Sequence, residues 1–291
     1  MAPERLWTGG LRRLVLGGIA AAGLAAGLAL ELDPRELMPG SGGLAVGREF
    51  FSRAVSPALT YEADFVPASV PPLPVKVLAA LRTTIVFAAA ATSLSIVIGL
   101  VLGFLGSTAW WAEDPVGGRT RSRRFLKRGV TLSVYGGTRI VITLMRSVHE
   151  LLWAVLFLAA LGLSNLAAVI AIAIPFGGTL AKVFSELIDE APRDAAYALR
   201  AAGASPAQVF LFGLLPRALP DMSAYAFYRF ECALRSSAVL GFFGYPTLGY
   251  YLAASFENLY YGEVWTYLYA LFGLVILVEW WSGALRRRFV A

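Results

Sequence analysis

The chain has 291 residues, 58% hydrophobic and 15% charged, against about a quarter charged in a soluble domain. Several apolar runs near the ~20 residues needed to cross a bilayer place it among membrane proteins, so the formal net charge of +6 reads as loop charge that sets topology and not as a footprint for nucleic acid. One cysteine, Cys232, and one histidine, His149, exclude a disulfide framework and a Cys/His metal cluster; Cys232, in an apolar stretch, reads as a small core residue.

The first apolar run covers residues 14–30, behind Arg5, Arg12 and Arg13. A signal peptide shares that basic start, but Glu31-Leu32-Asp33-Pro34 follows in place of a small-residue cleavage site, so a retained span is expected. Residues 33–76 are mixed in charge and rich in Pro and Gly, with Pro67, Pro71, Pro72 and Pro74 clustered at the end. A loop is expected there, then a second span over about 83–105. Residues 110–128 carry Arg119, Arg121, Arg123, Arg124, Lys127 and Arg128 against Glu113 and Asp114. Cytoplasmic loops hold the excess of Lys and Arg, so this loop faces the cytoplasm and the 33–76 loop lies outside.

The apolar stretch 130–163 is interrupted by Arg139, Arg146, His149 and Glu150. It predicts a helix at the cytoplasmic interface and then a span over 148–162, with the charged group near the inner interface and His149 hydrogen-bonded there. Ser164-Asn165 turns the chain at the outer side. Residues 166–184 return, with Pro175, Gly177 and Gly178 as packing or kink points. A fifth span is expected near 221–243, a Gly-rich break over 241–249, and a last span near 265–285 that ends in Arg286-Arg287-Arg288. The 245–263 loop holds Glu257 and Glu263 without Lys or Arg and fits outside. Trp265, Tyr267, Trp280 and Trp281 are candidate interface anchors. Six spans with both termini cytoplasmic satisfy every charged loop.

Residues 185–217, between the fourth and fifth spans, are polar and read as two short helices. Pro192 suits a first turn, Asp189, Glu190 and Asp194 lie at its positive end, and Gly203 supplies the positive φ of a helix stop. Ser205, Pro206 and Gln208 form a capping box for the second helix, which exposes Val209, Phe210 and Phe212 and should end at Pro216 and Pro220. Such an ordered loop either docks on a partner or packs on its own spans, and its local chemistry leaves both open.

This loop resembles the cytoplasmic loop of ABC-importer permeases, whose pattern is Glu-Ala-Ala, three residues, Gly, nine residues, Ile-x-Leu-Pro. The chain keeps Ala198, Gly203, Leu215 and Pro216 and departs at Tyr197, Leu199 and Gly213. Ala198-Leu-Arg-Ala-Ala-Gly-Ala-Ser205, Tyr228-Arg-Phe-Glu231, Arg235-Ser-Ser-Ala-Val-Leu-Gly241 and Arg146-Ser-Val-His-Glu-Leu-Leu-Trp-Ala154 resemble the phosphonate-importer branch. Gly244-Tyr-Pro-Thr-Leu-Gly249 departs from that branch's Gly-Ala-Gly-Gly-Ile-Gly. The resemblance runs over about 76–288. It implies an all-α, type I ABC importer permease fold of about six transmembrane helices, with residues 1–75 as first span and outer loop and 76–288 as the permease domain. It further implies a bacterial inner-membrane location, separate ABC ATPase subunits, an extracytoplasmic substrate-binding protein, a second permease copy as a homodimer, and a small phosphorus oxyanion as cargo. Tyr197, Ala198, Gly203, Ser205, Leu215 and Pro216 would then couple to the ATPase. No phosphate-binding Gly-x-x-x-x-Gly-Lys-[Ser/Thr] occurs, so ATP binding and hydrolysis are expected on a separate subunit, and neither an enzyme activity nor a cofactor is expected of this chain.

Arg229, Glu231 and Arg235 fall inside the fifth span, where charges are costly and face a bundle interior or a wet path. Glu231 and Arg235 share a helix face. They form either an internal ion pair that fixes helix packing or part of an anion path, while Arg229 and the hydroxyls of Ser236 and Ser237 are candidates for the path itself. A secondary transporter, or an ABC permease for an unrelated solute, are the alternatives. The first often shows an internal repeat, and none is visible.

Overall fold

The computed structural model describes residues 9–33, 38, 40–109 and 121–289. Residues 110–120, which include Arg119 of the basic loop, together with Arg5 and Pro34, lie outside the described residues. Among those described, every regular element is a helix. The chain forms two units, Met1–Val55 and Ser56–Ala291.

The smaller unit contains α1 (Gly9–Ala29) and α2 (Ser41–Ser52). The second helix lies where a loop was expected. The prolines that suggested a loop cluster only after Val66, and the 41–52 stretch has none to interrupt its backbone bonds.

The larger unit contains α3 (Leu73–Gly106), α4 (Arg121–Ser147), α5 (Glu150–Leu161), α6 (Asn165–Glu190), α7 (Asp194–Ala201), α8 (Leu215–Val239), α9 (Leu248–Glu257) and α10 (Tyr261–Phe289). Here α3 begins ten residues earlier than expected. Pro74 sits in its first turn, where a missing N–H removes no helical bond, so the proline run opens the helix.

Leu73–Gly106, Asn165–Glu190 and Tyr261–Leu285 are long and apolar enough to cross a membrane. A fourth candidate is broken: Thr131–Ser147 and Glu150–Leu161 meet at 92°. The shorter apolar helix Arg13–Ala29 and α8, with its internal charges, make the set consistent with six spans.

The centre of the larger unit is the α3–α6 pair, brought together by small residues as in many membrane helix pairs. A Cβ on Gly99 would lie 2.6 Å from the Leu180 Cβ, and one on Gly177 would lie 2.9 Å from Ile98 Cγ2. Gly178 approaches α4 in the same way, with Met145 Cβ 2.7 Å from where its own Cβ would stand. Gly177 and Gly178 are therefore packing points. Around this pair, Phe87, Ile172, Phe176, Leu234 and Leu240 form one buried cluster and Leu180, Phe184, Val209, Phe210 and Met222 another.

The connecting segments separate into two ends. At one end Ala58 N–H donates to Gly262 O (3.1 Å), Glu62 N–H to Glu263 Oε1 (2.9 Å), and Gly262 N–H to Glu62 Oε2 (2.9 Å). Ser255 Oγ also donates to the buried Glu263 (3.0 Å). Tyr61 belongs to this end. Burial and the Glu263 carboxylate raise its pKa, which keeps the phenol protonated as it donates to Pro71 O (2.8 Å). The opposite end holds Ser107–Ala109 and the 189–217 segment, joined through Asp189.

Two further expectations change. Tyr267 is completely buried and stacks on Tyr251 with ring centroids 5.9 Å apart, so it is a core residue and not an interface anchor; Trp280, 72% exposed, keeps that character. Residues 245–263 contain α9. Gly244, at φ +93°, turns the chain so that Thr247 and Leu248 can begin this helix.

Candidate functional site

The polar 189–217 segment is built from local signals. α7 starts after Arg193, which makes no side-chain capping bond, and beyond its end Gly203 adopts φ +82°. Gly203 N–H donates to Arg200 O (2.9 Å) and Ala204 N–H to Leu199 O (3.0 Å), closing the helix with a glycine in the left-handed region. The capping box forms as its sequence predicts: Ser205 N–H donates to Gln208 Oε1 (2.8 Å) and Gln208 N–H to Ser205 Oγ (3.4 Å).

The second helix does not end at Pro216 and Pro220. Pro206–Gln208 passes into a π-helical stretch, Val209–Leu214, and then directly into α8. Leu215 N–H reaches back five residues to Phe210 O. The widened turn falls where Pro216 cannot supply the next helical donor, which lets the chain pass the proline without breaking.

The segment has two faces. Val209, Phe210 and Leu214 are buried, and Phe210 meets Phe104 edge-on with centroids 5.0 Å apart. Gly213 lies against α7, where a Cβ would stand 3.2 Å from Ala196 Cα; this close approach accounts for glycine at a position where the family pattern has isoleucine. The other face shows Tyr197, 58% exposed, and Phe212, 71% exposed. Self-packing thus occupies one face and leaves an aromatic face uncovered. Ala198, Ser205 and Pro216 are also exposed, and Leu215 is half-buried.

Asp189 fixes this segment to the end of α3. Its carboxylate accepts from Ser107 Oγ (2.6 Å), Thr108 N–H (3.0 Å) and Ala109 N–H (2.9 Å). Sequence reading assigned Asp189 only to a helix dipole; the i,i+82 partnership has no local signature. Asp189→Ala strands three donors. It is expected to cost about 2–3 kcal/mol, since hydrogen bonds to a charged group are worth ~1.5–3 kcal/mol each and do not add. The check is a lower thermal unfolding midpoint for the purified variant, with Asp189→Asn falling between it and the parent.

The intramembrane charges converge elsewhere. A cavity of 430 Å³ is lined by Arg146, His149 and Glu150 at the α4–α5 break, by Phe176 and Thr179 of α6, and by Arg229, Cys232, Arg235 and Ser236 of α8. Its size falls in the ~300–1,000 Å³ range of small-molecule sites. Of the path residues expected from sequence, Arg229, Arg235 and Ser236 line it, and Glu231 and the fully buried Ser237 do not. Glu150 opens the twelve-residue α5 that leads to the Ser164 turn, so the charged group at 146–150 sits at the bend between α4 and α5.

Each lining group has a definite position. The Arg229 guanidinium lies over the Phe176 ring at 4.5 Å, and its Nε is buried without a hydrogen-bond partner among the described residues. Arg235 is exposed to the cavity and its Nη2 donates to Cys232 Sγ at 3.5 Å. Ser236 Oγ donates to Glu150 Oε1 (3.1 Å). His149 N-caps α5: its Nδ1 accepts from Leu151 N–H (3.3 Å), while Nε2 lies 3.4 Å from Glu150 Oε2. The positive end of α5 therefore opens toward three arginines. A second cavity, 480 Å³ between α3, α8 and α10, is lined mainly by apolar groups such as Ile96, Met222, Phe227 and Trp281 and offers an anion little.

The family model described as binding-protein-dependent transport system inner membrane component matches residues 130–290. The chain is similar to the phosphite transport system permease protein PtxC of Stutzerimonas stutzeri, 34% identical over 209 residues, 71% of this chain and 68% of that protein. It is also similar to the phosphate-import permease protein PhnE of Mycolicibacterium smegmatis, 32% identical over 158 residues, 54% of this chain and 30% of that protein. Among solved structures, an inward-facing MetNI methionine ABC transporter chain superposes with a TM-score of 0.60 at 21% identity, over 76% of this chain and 99% of that one.

Proposed function

This chain belongs to the family of binding-protein-dependent transport-system inner-membrane components, and we propose that it is the permease subunit of an ATP-driven importer of phosphorus oxyanions. The observation that carries the cargo is the cavity at the α4–α5 bend, with three arginines against one carboxylate. Charges within a membrane domain are retained where they line a path, and the relatives named for phosphite and phosphate agree with its sign.

The working unit is two copies of this chain in a bacterial inner membrane. Both termini and the 189–217 segment are cytoplasmic, an extracytoplasmic protein delivers the anion, and two ATPase subunits sit against the segment from below. Supporting this orientation is the basic content of 110–128 and 286–288. Tyr197 and Phe212 form the face offered to the ATPase, while Gly203, Ser205 and Gln208 hold that face in shape. Closure of the ATPases on ATP moves the segments and exposes the cavity to alternate sides as a rigid-body change.

The test is uptake of labelled phosphite, phosphate and methylphosphonate by right-side-out vesicles with ATP enclosed on the cytoplasmic side. Uptake driven by an ion gradient without an ATPase would instead favour a secondary transporter. Phe212→Glu tests the coupling face separately. Recovery of the ATPase with the purified permease is expected to fall about tenfold or more, in line with an aromatic anchor worth over ~1.4 kcal/mol. The unfolding midpoint should stay within a degree or two, because the ring is exposed. Undiminished ATPase recovery would remove Phe212 from the interface.

A further inference from the structure

We infer that Glu150 is a specificity-determining residue that makes the cavity accept oxyanions bearing a P–OH proton and reject those that have none. This rests on the oxyanion reading above. The arginines explain attraction to anions but not choice among them: guanidinium groups donate to any oxyanion. Glu150 does the opposite. Its carboxylate is an acceptor, lies among the arginines, and faces the same volume.

Ser236 Oγ occupies one site on Oε1, and His149 Nε2 stands 3.4 Å from Oε2. An ionised carboxylate has roughly four lone-pair positions, so acceptor capacity is left toward the cavity. A bound anion that brings a hydroxyl donates into it. A bound anion with only bare oxygens places negative oxygen against negative oxygen in a poorly solvated space, which is discrimination by repulsion.

The charged and titratable groups around Glu150 are Arg146 from α4, His149 from its own cap, and Arg229, Cys232 and Arg235 from α8; α6 presents Pro175, Phe176 and Thr179, none of them ionisable. A carboxylate set among the arginines offers acceptors and no donor, and that is what reads the proton. Phosphate, phosphonates and phosphite all carry a P–OH in their singly deprotonated forms. Sulfate carries none near neutral pH, although its size and charge are close to those of hydrogenphosphate.

The experiment is equilibrium binding to the full chain, purified together with its ATPase, at one pH near 7.5. Labelled inorganic phosphate is the probe, and unlabelled phosphate, sulfate and monofluorophosphate are competitors. Monofluorophosphate keeps phosphorus and the dianionic charge but replaces the hydroxyl with fluorine. Sulfate and monofluorophosphate should compete at least about tenfold less well than phosphate, as sites built around a substrate hydroxyl reject analogues that lack it. Glu150→Gln, whose amide also donates, should bring all three to within about threefold of one another. Equal competition in the unmodified protein overturns the assignment and needs no variant to fold. A gap that survives Glu150→Gln in folded protein assigns the selection elsewhere and also overturns it. If phosphate does not bind at all, or binds as well after Arg229→Gln, the oxyanion reading of the cavity fails as well.

Discussion

Alanine at Gly249 or Gly241 is expected to keep the permease from reaching a folded, membrane-assembled state. The 3₁₀ turn Leu240–Phe243 at the top of α8 folds back onto the start of α9, so two backbone segments cross in contact. A Cβ on Gly241 would overlap Tyr250 N, and one on Gly249 would overlap Ala238 O. Both obstacles are main-chain atoms, and neither can swing aside as a side chain would. The crossing is further pinned by Thr247 Oγ1 donating to Ala238 O (3.0 Å) and Leu248 N–H donating to Thr84 Oγ1 (3.1 Å). Overpacking where nothing can yield costs about 3 kcal/mol or more, against a total of ~5–15 kcal/mol for a typical domain. Gly273→Ala is the internal control: a Cβ there meets nothing within 4 Å, and alanine favours a helix interior by ~1 kcal/mol. Size-exclusion profiles of detergent extracts should show monodisperse Gly273→Ala and little or no monodisperse Gly249→Ala. A well-folded Gly249→Ala protein would show that the crossing is looser than described.

Arg229→Gln is expected to lower uptake by about a hundredfold while leaving assembly with the ATPase intact. The guanidinium is held by the Phe176 face and is not tied to a described carboxylate, so its loss removes no ion pair from the helix packing. What disappears is a charge lining the cavity. Losing one partner of a charged hydrogen bond in a desolvated site costs ~2–5 kcal/mol, and a hundredfold corresponds to ~2.7 kcal/mol. Arg229→Lys should recover part of the rate, since a point charge stays but the flat group that stacks on the ring is gone. Near-normal uptake by Arg229→Gln would take Arg229 out of the path, and a loss of ATPase recovery would make it a packing residue.

Much of this fold is legible in sequence because bilayer crossing is a one-dimensional property. Apolar length identifies residues 83–105, 166–184 and 265–285 as spans, and Ser205-Pro206-Ala207-Gln208 announces a cap within four residues. Where sequence reading fails, the deciding partner is distant or the rule is conditional. Pro216 and Pro220 look like stops because a proline removes a donor, yet a π turn one residue upstream reroutes the bonding. Tyr267 carries the composition of an interface anchor, but stacking on Tyr251 puts it in the core. Arg146 and Glu150 lie some eighty residues from Arg229 and Ser236; the α4–α5 bend alone brings them to one cavity. A polar, helix-breaking Ser147-Val148-His149-Glu150 inside an apolar stretch was the available hint that the third span is broken.

The passage from Pro206 into α8 without a stop has a mechanical consequence. Phe212 and Arg229 ride on one rod, 17 residues apart, or about 25 Å at 1.5 Å per residue. Tilting that rod by ~10° about its Phe212 end would sweep the Arg229 backbone sideways by ~4 Å, more than the length of a hydrogen bond. A displacement of that size is enough to hand an anion from one set of donors to another. Stiffness then matters as much as charge: the π turn at Val209–Leu214 and the kink-prone Pro220 are the two places where the stroke can be absorbed before it arrives.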